Sequence, residues 1–284
     1  MSVDDLLESP LGPFPFRVWS PKVAEFVEAT GDDGDRWSEA APPGFAAAAL
    51  FAGATPFLSH PAVTGEGAMI LHGEQSFRWF GPIRIDDLYR VTARLTKVRR
   101  RSSVVFLWLD TIVARDAVPA IEAFSVFLLA RREDGGRVEE EPSVGDRGAS
   151  DIATPVPRTA IASTLPVLRK SASRADLVRY AAASGDWNPI HWDHDFAVAA
   201  GQPGVICHGL LMASWVLQAA ARLVPGDMPL SEARIRFKAP LRPAVQALVV
   251  GEIGADPAAS TSLKLALTSD ETEHVTATVA LASW

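Results

Sequence analysis

Apolar and polar positions follow two rhythms along this chain, and the same succession of rhythms occurs twice. In the second half, "EARIRFKAP", "QALVVGEI", "STSLKLALTS" and "EHVTATVALAS" alternate with a period of two. Such alternation predicts antiparallel strands with one buried face. The first half carries "YRVTARLTKVRRR", "SVVFLWLDTIVARD" and "AIEAFSVFLLARR" in the corresponding place. Ahead of each strand series stands an apolar helical run, "GFAAAALFAGA" from Gly44 and "GLLMASWVLQAAA" from Gly209. Ahead of those lies a second helix, "SPKVAEFVEATG" or "SRADLVRYAAASG", preceded by a short strand, "FPFRVW" or "LPVLRK". Both of these helices open on a serine, Ser20 and Ser173, a favoured N-cap residue, and Pro21 suits a first helical turn. Both end at a glycine, Gly31 and Gly185, the residue expected where a chain turns left-handed. An apolar helix followed by several one-faced strands predicts an α+β fold with the sheet wrapped around the helix.

Three blocks align between the halves in the same order, which points to an internal repeat. "VAEFVEATGDDGDRW" lies over "LVRYAAASGDWNPIH", setting Gly31-Asp32 on Gly185-Asp186. The two Ala-rich runs follow, and then "EQSFRWFGPIRIDDLYRVTARL" lies over "ARIRFKAPLRPAVQALVVGEI", with Phe77 opposite Phe237. Between the copies, "REDGGRVEEEPSVGDRGASDIATPVPR" is rich in Gly, Pro and charge and poor in large apolar residues, the composition of a linker. The expected division is a first domain over 1–133, a linker over 134–160 and a second domain over 161–284.

Composition narrows the partners. The chain has 284 residues, 48% hydrophobic and 21% charged, with a net charge of -7. An acidic balance argues against nucleic acid and against a basic membrane-surface role. The longest apolar runs are shorter than the roughly 20 residues a membrane span needs. The opening "MSVDDLLESPLG" lacks the basic n-region of a signal peptide. A single cysteine, Cys207, excludes an internal disulfide framework and suits a reducing compartment. These features predict a cytoplasmic protein with neither nucleic-acid nor membrane partner.

The densest chemistry lies in "SGDWNPIHWDHDF", where Asp186, Asn188 and His191 surround Pro189. Five residues is the wrong interval for one face of a helix. Pro189 disfavours helical geometry at Asn188 and imposes an extended step, which lets Asp186 and His191 fold towards a common point. A carboxylate and an imidazole gripping one water supply general acid and base catalysis near neutral pH. Asn188 then braces the loop or the carboxylate. Gly209 stands before the apolar helix, so its N–H projects from a helix N-terminus, where negative charge is favoured. The first half keeps Gly31 and Asp32 but has no histidine to pair with Asp32, so one active site in the second half is expected. His208 reads as a structural histidine, "HWDHD" as too short a cluster for a metal centre, and Cys207 as a small buried residue rather than a nucleophile.

"SGDWNPIHWDHDFAVAAGQPGVICHGLL" resembles the signature of MaoC-like, R-specific enoyl-CoA hydratases, in which Gly-Asp, any residue, Asn-Pro, an aliphatic residue and His are followed by a helix and His-Gly. Asp186, Asn188, Pro189, Ile190, His191, His208 and Gly209 fall on it. The first half, with its "APPGF" segment, is similar to the N-terminal half of double-hotdog dehydratases. The resemblance implies two hotdog domains facing each other as a pseudo-dimer, each a central helix wrapped by a curved antiparallel sheet. It implies reversible hydration of trans-2-enoyl thioesters to (R)-3-hydroxyacyl thioesters by Asp186 and His191, with Gly209 as the oxyanion residue. It needs no cofactor, because the substrate itself carries coenzyme A or an acyl carrier.

Such a carrier brings phosphates, for which Arg236, Lys238 and Arg242 are the expected basic contacts; Arg99–Arg101 read as ordinary exposed strand charges. Ser214, one turn into the helix, is a further substrate-contact candidate or a packing serine. The Ala-rich first-half helix is expected to leave room for an acyl chain. A branched or dicarboxylic enoyl-CoA, a non-catalytic acyl-binding subunit and a thioesterase are the competing readings, and a homodimer is left open.

Overall fold

The computed structural model describes residues 2–65, 69–130, 165, 167–253 and 262–282; the expected linker over 134–160 lies outside them. The strands are β1 (Pro10–Arg17), β2 (Met69–Trp79), β3 (Leu88–Arg101), β4 (Val104–Arg115), β5 (Val118–Ala130), β6 (Leu168–Lys170), β7 (Leu230–Phe237), β8 (Ala247–Ile253), β9 (Ser262–Ser269) and β10 (Thr272–Leu281). The helices are α1 (Ser20–Thr30), α2 (Ala46–Leu58), α3 (Pro61–Thr64), α4 (Arg174–Ser184), α5 (His194–Ala199) and α6 (Gly209–Ala221). No helix among the described residues is long and apolar enough to cross a membrane.

The ten strands among the described residues join one antiparallel sheet in the order β1-β3-β4-β5-β2-β7-β10-β9-β8-β6. The order is symmetric about its centre: β1, β3, β4, β5 and β2 correspond to β6, β8, β9, β10 and β7. The repeat in sequence is thus a repeat in space, and the halves join where β2 pairs with β7 over Glu74–Arg78 and Glu232–Arg236. This is an α+β double hotdog. Strand alternation is as the pattern required. In β7, Ala233 and Ile235 are buried while Arg234 and Arg236 between and beyond them are exposed.

Helix α2 packs inside the first-half sheet and α6 inside the second, and α1 lies against α4. The α6 helix is apolar nearly all round, and twelve of its thirteen residues, Leu210 to Ala221, are buried. A helix of that kind belongs at the centre of a fold, and the sheet has to wrap it. The two outer helices start differently. Ser173 caps α4 through a capping box with Asp176, its hydroxyl receiving the Asp176 amide at 3.2 Å. In the first half, Ser20 is already the first helical residue, the N-cap is Trp19, and no side chain caps the helix.

Candidate active site

The α4 helix ends at Gly185, whose φ of 82° lies in the left-handed region. The Asp186 amide then donates to the Ser184 hydroxyl at 3.2 Å. Asn188 adopts φ -58° and ψ 121°, the extended step that a following proline imposes. Pro189–His191 forms a single 3-10 turn that reverses the chain. Side-chain atoms of Asp186, His191 and His208 thereby come within 4.8 Å of one another.

Each member is held by the backbone. The Asn188 side-chain amide donates to the Ile70 carbonyl of β2 at 2.9 Å, and its oxygen accepts from the Ile190 amide at 3.3 Å. Asn188 therefore fastens the second-half loop to the first-half sheet. His191 Nδ1 lies 2.8 Å from the Ile206 carbonyl. A carbonyl only accepts, so Nδ1 carries the proton and Nε2 keeps the lone pair. His208 Nε2 donates in the same way to the Asp186 carbonyl at 3.2 Å. The two imidazoles stack with centroids 3.8 Å apart and planes 26° from parallel.

Burial moves the acid and the base in opposite directions. Desolvation lifts the Asp186 carboxyl from 3.8 to about 7, partly offset by the Asn188 amide. Desolvation pushes His191 down to about 4, partly offset by the Ile206 carbonyl. Burial and the neighbouring His191 hold His208 well below the usual histidine range. Near neutral pH the site thus presents a neutral imidazole with a free lone pair beside a carboxyl able to give or take a proton. The three residues have metal-ligand chemistry, yet stacked rings direct their in-plane lone pairs side by side rather than at one centre, which suits a packed pair better than a chelate. Burial drives the Cys207 thiol up to about 12, far from a nucleophile's range.

A cavity of about 470 Å³ opens at these residues. Asp186, Asn188, His191 and Gly209 all line it. Gly209 is the first residue of α6, where helix geometry leaves amides without intrahelical acceptors. A Cβ there would meet the Phe237 ring at 3.2 Å, so a larger residue would have to push that cavity-lining ring aside. The opposite wall comes from the first half, with Phe51, Thr55 and Leu58 of α2, Ile70, Leu71 and His72 of β2, and Phe127 of β5. The expectation for the Ala-rich helix needs correction: Ala46–Ala49 are buried in the core, and larger residues further along α2 face the cavity.

The substrate-contact candidates divide. Lys238 lines the cavity and makes an ion pair with Glu273. Ser214 does not line it: its hydroxyl donates to the Leu210 carbonyl at 2.7 Å and faces Gly44, making it the packing serine of an α6 contact. Arg236 is also displaced from the expected position, because strand alternation sends it to the opposite face from Phe237, where it lies 3.3 Å from Glu74. Arg242 is exposed and lies outside the cavity lining. Arg99–Arg101 are exposed on β3, with Arg100 paired to Asp4 at 2.8 Å. The sequence reading passed over His72, Phe127 and Phe51. His72 left one trace, as the single imidazole in the otherwise apolar start of β2, "MILHG".

Residues 153–258 match the model of the MaoC-like domain, and residues 11–119 match that of the FAS1-like dehydratase domain region. The chain is 30% identical over 185 residues to 3-hydroxyacyl-thioester dehydratase X of Mycobacterium tuberculosis, covering 64% of this chain and 59% of that protein. It is 29% identical over 189 residues to the peroxisomal multifunctional enzyme type 2 of Mus musculus, covering 64% of this chain and 24% of that one. The chain therefore spans less than two thirds of the length of either relative. A solved structure described as a MaoC-like dehydratase superposes over 100% of both chains with a TM-score of 0.80 at 21% identity, a likeness of fold.

Proposed function

Because the chain belongs to the MaoC-like dehydratase family, we propose that it hydrates trans-2-enoyl thioesters to (R)-3-hydroxyacyl thioesters and catalyses the reverse dehydration. The observation that carries this reading is the meeting of Asp186 and His191 on one cavity, with burial moving one pKa up and the other down, beside the first amide of α6. Two titratable groups pushed apart in this way form an acid and base pair.

In the hydration direction, His191 Nε2 takes a proton from a water whose oxygen bonds to Cβ of the enoyl group. The electron pair of the double bond moves to Cα and, in part, onto the thioester oxygen. The Gly209 N–H, at the positive end of α6, stabilises that oxygen; losing one such donor typically costs ~3–4 kcal/mol of barrier. The protonated Asp186 carboxyl delivers its proton to Cα. The proton left on His191 returns to Asp186 through the next bound water, and dehydration retraces the path. The apolar wall of α2, β2 and β5 holds the acyl chain, and Lys238 meets the phosphate side of the carrier. No cofactor enters this chemistry.

The test is the loss of enoyl absorbance with trans-2-enoyl-CoAs of graded length, followed by chiral separation of the product. Turnover giving the (R)-alcohol supports the reading. Thiol release without hydration would make the protein a thioesterase, and binding without turnover would make it an acyl-binding subunit.

A further inference from the structure

One histidine beside the acid and the base has a place in the chain that its own helix does not explain. His208 is the N-cap of α6, the residue before Gly209. Serine, threonine, aspartate and asparagine are favoured at an N-cap, because their side chains take up a free amide of the first turn. The His208 side chain makes no such bond to α6. It turns instead to the loop that carries the acid, where Nε2 donates to the Asp186 carbonyl at 3.2 Å. A local preference set aside in this way is expected where a site requires a particular residue.

The same ring meets the base. It stacks on His191 with centroids 3.8 Å apart, and the Tyr180 ring of α4 lies 4.9 Å away, tilted by 55°. His208 is fully buried, and its Nδ1 has no partner among the described residues. Burial and the neighbouring His191 keep the His208 ring neutral. A neutral ring at stacking distance keeps water from one face of the His191 imidazole and adds no charge to oppose its protonation. Water exclusion is what pushes His191 down to about 4. A phenylalanine at this position would supply the covering face without the donor, and a glutamine the donor without the face. Histidine supplies both from one side chain.

We propose that His208 is a positioning residue for the acid and base pair: its Nε2–H fixes the main chain of Asp186, and its ring face holds the His191 imidazole and shields it from water. The inference rests on the hydratase reading. His208 touches neither the substrate nor the reacting water and acts through the two residues that do. The side-chain atoms of the three lie within 4.8 Å of one another, so a displaced His208 displaces both partners.

The experiment uses the full chain, with crotonyl-CoA for turnover and saturated butanoyl-CoA for binding. His208→Phe keeps the stack and loses the bond to the Asp186 carbonyl. Its kcat is expected to fall about tenfold or more, because small misplacements of a catalytic group are costly. Its Kd for butanoyl-CoA and the low-pH limit of its kcat/KM profile should stay as in wild type. His208→Gln keeps a donor near the place of Nε2 and uncovers the base. It should retain more kcat than His208→Phe, while its low-pH limit rises from about 4 towards 6.5. A merely structural role would weaken stability and butanoyl-CoA binding in both variants without moving that limit, and this result would overturn the proposal. So would kcat within about threefold of wild type in both variants. Should His208→Phe fail to fold, the low-pH limit of His208→Gln decides alone. Wild-type turnover reports on the hydratase reading separately. Without any turnover, His191 is titrated by NMR in wild type and His208→Gln, its signal assigned by its loss in His191→Gln. A rise in the variant supports the shielding role, and an unchanged value overturns it.

Discussion

The protein contains the same turn twice, and the two copies differ in what satisfies them. Each follows a helix that ends at a left-handed glycine, Gly31 with φ 60° and Gly185 with φ 82°, and each continues with an aspartate. In the first half, Asp32 Oδ1 accepts from the Asp33 amide at 2.8 Å and from the Gln218 side chain, also at 2.8 Å. The neighbouring Gly31 carbonyl takes the ammonium of buried Lys170 at 2.8 Å. Arg36 donates to the Ala221 and Val224 carbonyls at 2.7 and 2.6 Å. Polar groups of the second half thus satisfy the first-half turn. In the second half, Asp186 faces a cavity and, among the described residues, its carboxylate receives a long 3.4 Å contact from the Asn188 amide. The first copy uses its polar groups to hold the two halves together; the second turns them towards a cavity.

The comparison breaks most sharply at the acids. Asp186→Asn and His191→Gln are each expected to fold and to lose about 100-fold or more in crotonyl-CoA hydration, the usual scale for a general acid or base. Asp32→Asn should stay within about threefold of wild type, since Asp32 has no histidine beside it and its carboxylate is taken up by the Asp33 amide and Gln218. A comparable loss at Asp32 would make the first half catalytic and end the contrast.

Acidity sharpens it next. In the proposed mechanism hydration needs His191 neutral and Asp186 protonated, so kcat/KM should form a plateau bounded by about 4 and about 7 and fall on either side. Dehydration starts from the same total of bound protons and should show the same limits. A profile flat from pH 6 to 9 would contradict the raised Asp186 pKa.

Stability gives the opposite order of the two loops. The folded pKa of Asp186 is raised from 3.8 to about 7, so the neutral carboxyl contributes stability below 3.8 that is lost as pH rises through 7. Asp186→Asn is therefore expected to match wild type near pH 4 and to exceed it by about 1–3 kcal/mol at pH 8, measured by urea unfolding. Lys170→Met should cost about 1–3 kcal/mol at either pH, because it leaves the Thr30 and Gly31 carbonyls at the end of α1 without their cation. Its effect on kcat should be slight. The smallest change expected is at Lys238→Ala, a rise of about two- to fivefold in KM with kcat kept, since a partly exposed charge contributes modestly.

Most of the fold was legible in the chain because its causes are local. Period-two alternation marked the strands from β3 to β5 and from β7 to β10, and serine, proline and glycine marked α1 and α4. The start of β2, Met69–His72, was missed; "MILH" has too little alternation to mark a strand by itself, and its place comes from pairing with β5. The bend at Asn188-Pro189 was readable for the same reason as the helix ends, since proline acts on its immediate neighbour. Ser214 and Arg236 were misplaced for different reasons. Whether Ser214 faced a ligand or Gly44 depended on a segment 170 residues earlier. Arg236 could have been read correctly, because neighbours on a strand face opposite sides and Phe237 faces the cavity.

The amino-acid order alone determined the turn types, the strand faces and the spacing that lets one acid and one imidazole meet, all of which are settled within a few residues by backbone sterics and side-chain period. Only the folded chain decided which of two matching turns became a site. That choice depends on who satisfies each polar atom, and the partners lie far away in sequence: Gln218 and Lys170 close the first turn, while Ile70, His72 and Phe127 build the wall over the second. Burial and unmet hydrogen-bonding capacity, the two quantities that shift the pKa values and shape the cavity, come into existence only when the halves pair through β2 and β7.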